Sequence, residues 1–188
     1  MNQIRRSQLL IERGRRPLSF GNFSSRPPER TPREWKWRLV GIALVALYFV
    51  QDMASFHCNW LRSLQSVDEY KYATGTCLLL FVGYQWYLFL ARMRRKKLLR
   101  PLVFHQRTGT FAPILFYLHS TEFGYGYLAV LSWVFLINVV VGLANPTSLK
   151  ISFWSYSYRT VWILLHVTLA ALTIIIALYH AHVAVYYK

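Results

Sequence analysis

Acidic residues are scarce in this chain: seven Asp and Glu stand against 22 Lys and Arg in 188 residues. Cysteine is scarcer, with only Cys58 and Cys77. They form no C-x-x-C pair, which leaves out the usual metal and c-type haem signatures. The two fall near the same face of the molecule, so a disulfide between them is open, but nothing in the spacing requires one. Beyond the histidine spacing described below there is no internal repeat, and no stretch has the composition of a soluble enzyme domain.

Apolar length is plentiful. Hydrophobic residues make up 55% of the chain and the mean hydropathy is +0.26, which is unusual for a soluble domain. The apolar residues come in blocks, and about 20 mostly apolar residues cross roughly 30 Å of hydrocarbon. Five blocks qualify, at about 35–56, 72–91, 101–121, 125–144 and 160–186. The last is the most apolar and the third the least. In the first, the fully apolar run Leu39–Val50 is short, and Gln51 and Asp52 interrupt its far end. The expected fold class is an all-α membrane protein, a five-span transmembrane helical bundle over 35–188 that follows a basic tail over 1–34.

Charge orients the bundle. Ten of the basic residues lie between Arg5 and Arg38, and seven more lie between Arg92 and Arg107. Loops rich in Lys and Arg stay on the cytoplasmic side. Placing the N-terminus inside also places the second loop, Lys150 and Arg159 inside. Arg62, Lys71 and Lys188 alone are then left outside. The expectation is a cytoplasmic N-terminus, an outer C-terminus and a multi-pass protein of the bacterial inner membrane. Because this rule accounts for most of the positive charge, nucleic acid is not an expected partner. The tail 1–34, with Arg26-Pro27-Pro28, has too little apolar content to bury a core. A short helix near Ile4–Arg13 and docking on a partner or on anionic lipid are readings for it. Glu12 and Glu29 count against a transit peptide. The basic turn 92–100 is first a topology anchor and second a landing site for an acidic partner. Trp35, Trp37, Trp60, Trp154, Tyr156 and Tyr158 suit interfacial aromatic belts.

Four of the six histidines form a pattern. His105 and His119 are 14 residues apart in the third block, and His166 and His180 are 14 apart in the fifth. At 3.6 residues per turn, each pair projects from one helix face, about 21 Å apart along the axis. The two spans run the same way, so His105 matches His166 in depth toward the inside, and His119 matches His180 toward the outside. Two parallel helices facing one another would place each matched pair around one haem iron. Bis-histidine ligation leaves no open iron position, which suits electron transfer. Ionisable residues within spans are costly and mark function by default; their ordinary alternative is a helix–helix hydrogen bond. Zinc would need more ligands at one depth than Cys or carboxylates offer here. His182 is 16 residues from His166, roughly 160° around the helix, and falls off the shared face. His57 lies in the first outer loop. Both are interfacial or quinone-site candidates.

The neighbours suit a macrocycle. Gly109, four residues after His105, lets a flat ring approach the backbone. Gly75, Gly83 and Gly142 either do the same or serve close helix packing. Pro113 should kink the third span. Arg107 and Arg159 lie near the inner histidines as candidates for propionate contacts or for snorkelling to headgroups. Asp52 and Glu122 lie near outer span ends, as solvated ends or as members of a proton pathway.

Phe104-His105-Gln106-Arg107-Thr108-Gly109, followed by His119, resembles the first haem helix of the ferric reductase-like transmembrane family. Leu165-His166-Val167 through Tyr179-His180 is similar to that family's second haem helix. The paired spacing is also similar to that of cytochrome b in quinol-oxidising bc complexes. The likeness covers 100–188 in motif and 35–91 in span count only. It departs in the arginine, displaced by one position, and in the lack of a sixth span and of a flavin or dinucleotide domain. The resemblance implies two b-type haems and electron flow between a cytoplasmic-side partner and an outer-side partner, with the reductant supplied by another subunit or a quinol. The leading expectation is therefore a diheme b-type cytochrome membrane subunit, an electron-transfer part of an oxidoreductase with no complete active site of its own. One alternative is a quinone-reactive cytochrome b anchor of a larger oxidoreductase, with a quinone as further cofactor. A second is a non-redox scaffold subunit of a membrane complex.

Overall fold

The computed structural model describes residues 34–56, 58–94, 99–144 and 155–187. The tail expected over 1–34 lies outside them apart from its last residue, as do His57, Lys150, Trp154 and residues 95–98 of the basic turn. Among the described residues the chain is all-helical. In order, the elements are α1 (Glu34–Met53), α2 (Asn59–Gln65), α3 (Asp68–Gln85), α4 (Tyr87–Met93), α5 (Leu99–Gly109), α6 (Ala112–His119), α7 (Tyr127–Leu143) and α8 (Ser155–Tyr186).

These elements follow the apolar blocks, with differences that have local causes. The second block starts earlier than expected, at Asp68, and is interrupted at Trp86, so α3 and α4 together fill it. The third block is not merely kinked but divided. Pro113 has no N–H, and its ring would collide with the carbonyl four residues back, at Gly109. The chain accordingly ends α5 at Gly109 and restarts α6 at Ala112, with Pro113 in the first turn where its missing donor costs nothing. The two interruptions are joined: Gln85 Nε2 donates to Thr108 Oγ1 at 2.9 Å, and that hydroxyl donates on to the Phe104 carbonyl at 2.9 Å. α2 is an addition within the loop after α1, and its Leu61 is buried. Cys58 and Cys77 are both free thiols.

Two helical stretches, Asp68–Ala91 and Tyr158–Tyr186, are long and apolar enough to cross a membrane, and Tyr127–Leu143 is a shorter apolar helix. Their outward faces are apolar too. Val161, Leu164, Ile175 and Leu178 on α8, and Leu39, Ile42, Leu47 and Val50 on α1, are each more than half exposed. The core gathers Tyr48 of α1, Ala112 and Phe116 of α6, and Phe135 and Leu136 of α7, with Leu78, Phe81 and Val82 of α3 packed against them. Aromatic rings fill it: Phe116 stacks on Phe135 with ring centres 5.1 Å apart, and Tyr48 meets Phe116 at 5.3 Å. Buried Thr110 and Thr173 each donate to the carbonyl four residues earlier, and Ser132 Oγ lies 2.9 Å from both the Leu128 and the Phe123 carbonyls.

The turn from α6 to α7 needs glycine at Gly124, where φ is +74° and an added Cβ would lie 2.8 Å from the Leu128 Cβ. α8 lies along α7 and against α3. Trp162 Nε1 donates to the Val141 carbonyl at 2.6 Å, and Tyr72 of α3 donates to the Ala184 carbonyl at 3.0 Å. These contacts hold α8 at both ends and so set the height of the two histidines it carries.

Candidate functional site

The end of α6 is built before His119 can be placed. The last carbonyls of a helix have no intrahelical donors. Here Gln65 Nε2 donates to the Tyr117 carbonyl at 2.9 Å and to the Leu118 carbonyl at 3.2 Å, while Tyr70 donates to Leu118 at 3.0 Å. Thr121 donates to Gln65 Oε1 at 2.9 Å and locks the amide in that orientation. α2, α3 and the segment after α6 thus clamp one end of the helix. The neighbouring Glu122 pairs with Arg62 at 3.0 Å across an exposed surface.

The structure brings His105 of α5 to His166 of α8, with ring centres 6.1 Å apart and planes at 77°. It brings His119 of α6 to His180 of α8, with ring centres 6.2 Å apart and planes at 68°. The two separations nearly coincide although one helix is continuous and the other is divided, so the break at Thr110–Phe111 keeps the rise between His105 and His119 matched to that between His166 and His180. A metal–imidazole nitrogen bond of about 2 Å on each side of one ion, with about 1 Å more from each nitrogen to its ring centre, separates the ring centres by about 6 Å. Both pairs have that separation.

Glycines act in two ways around the rings. At Gly142 an added Cβ would lie 3.1 Å from His166 Cε1, and at Gly75 one would lie 3.0 Å from His119 Cε1. These two glycines let the imidazoles lie against α7 and α3. At Gly109 and Gly83 an added Cβ would meet nothing within 4 Å. Open space beside the backbone near His105 is the kind of room that a flat macrocycle needs. Trp162, one turn before His166, stacks on that ring at 5.4 Å with planes 14° apart.

The surroundings of the Nδ1 atoms differ between the pairs. His119 Nδ1 lies 3.2 Å from Thr74 Oγ1, and His180 Nδ1 lies 3.5 Å from the Tyr127 hydroxyl. The Nδ1 atoms of His105 and His166 are buried and without a hydrogen-bond partner. Among the described residues no group of three or more His, Cys, Asp or Glu converges. The donor set at each level is therefore two imidazoles with ring centres about 6 Å apart. It fits a metal whose other four positions are filled by a planar tetradentate ring, and does not fit a cage made by the protein alone.

Arg107 on α5 and Arg159 on α8 are exposed, and among the described residues neither forms an ion pair with a carboxylate. His182 is exposed and packs on Tyr186 with ring centres 4.6 Å apart, away from both pairs. Thr74, Tyr127 and Trp162 border the histidines but do not figure in the sequence reading. Trp162 had a signal, its four-residue spacing from His166; the other two lie on helices that sequence spacing does not connect to the histidines. Compared with known proteins, the chain matches no family model, no curated protein and no solved structure.

Proposed function

We propose that this chain is a membrane-spanning diheme b-type cytochrome, an electron-transfer subunit with axial ligands His105 and His166 at one level and His119 and His180 at the other. The observation that carries this is the pair of ring separations, 6.1 and 6.2 Å, produced by histidines 14 residues apart on two helices. A bis-imidazole haem, when bound, takes up and releases one electron with both axial positions filled.

The residues of the chain supply the rest. Gly142 and Gly75 admit the imidazoles, Gly109 leaves room for the ring beside α5, and Arg107 and Arg159 stand as candidates for the propionate carboxylates. Lipid is the solvent that suits exposed apolar faces such as those of α1 and α8. Taking α3 with α4 and α5 with α6 gives five spans. α1 has 20 residues, or about 30 Å of rise; α7, with 17, is at the short end of the spanning range. The positive-inside rule sets the N-terminus in the cytoplasm and the His105/His166 level toward it. The electron donor is a partner subunit or a quinol, and the acceptor is on the other side.

Purified protein should give a reduced-minus-oxidised spectrum of the b type and a pyridine haemochrome value of two haems per chain. His119→Ala should keep one haem and lose the other. Well-folded protein carrying no haem would overturn the proposal. Reduction by a quinol that is blocked by a quinone-site inhibitor would identify the donor as a quinol; insensitivity would favour a protein donor.

A further inference from the structure

The hydroxyl of Thr74 has one proton to give. Its oxygen lies 2.8 Å from the Tyr70 carbonyl, four residues back in α3, and 3.3 Å from that of Lys71. A carbonyl only accepts, so the shorter contact takes the hydroxyl proton. Toward His119 Nδ1, at 3.2 Å, the same oxygen can then only accept. The proton in that contact belongs to the imidazole, which makes His119 the Nδ1–H tautomer and leaves Nε2 with a free lone pair. The reverse arrangement would set two lone pairs against each other at 2.8 Å. Gly75, next in sequence, lets the ring lie against α3 where an added Cβ would be 3.0 Å from Cε1. Thr74 and Gly75 together form a cradle that fixes both the orientation and the tautomer of one imidazole.

No other histidine of the two pairs has this device. At 3.5 Å from His180, the Tyr127 hydroxyl is free to donate or accept and sets no tautomer. His105 and His166 have no partner at Nδ1. We infer that Thr74 is a positioning residue of the His119/His180 level, holding His119 Nε2 ready for a metal and making that imidazole the more electron-rich ligand. The inference rests on the diheme reading for its redox half and on hydrogen-bond geometry alone for its tautomer half. A ligand histidine that donates its second N–H is more basic and favours the oxidised metal, and removing such a partner typically costs about 10- to 100-fold in metal affinity.

Thr74→Val keeps the shape and removes the acceptor, whereas Thr74→Ser keeps it. Haem titration and redox potentiometry of the full-length protein should show the outer site of Thr74→Val binding haem about 10- to 100-fold more weakly. The haem bound there should have a more positive midpoint potential, with the inner site unchanged. Thr74→Ser should restore both properties. Equal behaviour of the two variants, or a shift at the inner site only, overturns the inference. Should Thr74→Val fail to fold, the 15N shifts of His119 in haem-free wild-type protein, assigned by difference against His119→Gln, decide it. An Nδ1–H tautomer supports the inference and an Nε2–H tautomer overturns it. If the wild type binds no haem, the diheme reading fails by itself, and the nitrogen shifts still judge the role of Thr74.

Discussion

Gly109 and Gly142 are the same residue with opposite surroundings, and the difference yields a test at the scale of one side chain. A side chain at Gly142 runs into His166, with Cε1 3.1 Å from the added Cβ, while one at Gly109 enters open space. Gly142→Val should therefore strain the protein whether or not haem is present, because bulk forced into a packed site costs about 1–3 kcal/mol. Gly109→Leu should be tolerated by the haem-free fold and should compete with a macrocycle beside His105. The expected outcome is folded Gly109→Leu protein that retains one haem of two, measured by haemochrome content beside a thermal melt. Two haems at full occupancy would show that the open space is not haem room. The ring planes give a second reading. The imidazole planes of the two pairs stand at 77° and 68°, and in the proposed diheme protein such steeply crossed ligands would make low-spin ferric iron strongly anisotropic. Frozen-solution EPR of the oxidised protein should show two such signals, and rhombic signals typical of coplanar imidazoles would contradict this geometry.

Among the elements, the clamp on the end of α6 is the most exposed to a single change. Gln65 satisfies two backbone carbonyls and is itself held by Thr121. Gln65→Leu leaves the Tyr117 carbonyl without that donor, and an unsatisfied buried polar group costs about 1–3 kcal/mol. His119 is the last residue of the same helix, so in the proposed diheme protein heating should release the haem of the His119/His180 level of this variant first. A spectroscopic melt that follows the two haems separately would show this; release of both together would place the clamp elsewhere. α2, which carries Gln65, was not legible in the sequence, because a seven-residue helix in a polar loop has too few turns to display a period. The interruption at Trp86 was not legible either, since neither Pro nor Gly stands there. The division before Pro113 was legible in part: the proline foretold a kink, and the neighbouring helices decided that it would be a break. The four histidines were legible because one spacing occurs twice, and a period survives without knowledge of neighbours. Which glycine would press on an imidazole and which would face open space depended on helix packing that no spacing encodes.

For the molecule as a whole, charge is the property that would set direction, because the ring separations of the two histidine levels are nearly equal. Seventeen of the 22 basic residues fall in two runs, Arg5–Arg38 and Arg92–Arg107. Basic residues close to span ends hold their loops in the cytoplasm. In the proposed topology His105 and His166 lie on the side of an internal reductant and His119 and His180 on the outer side, and the opposite topology would reverse the proposed electron path without altering any ring distance. Fusions test the assignment directly. A reporter active only outside the cytoplasm should work when joined after Lys188 and fail when inserted between Arg95 and Lys97, and a cytoplasm-dependent fluorescent reporter should do the opposite. Replacing Arg94, Arg95, Lys96 and Lys97 with Gln removes four of the seven charges of the second run. It should yield a population of mixed orientation, seen as partial activity of both reporters at one junction. If the wild-type reporters invert, the levels exchange sides, and Thr74 would then tune the ligand nearest the cytoplasmic donor.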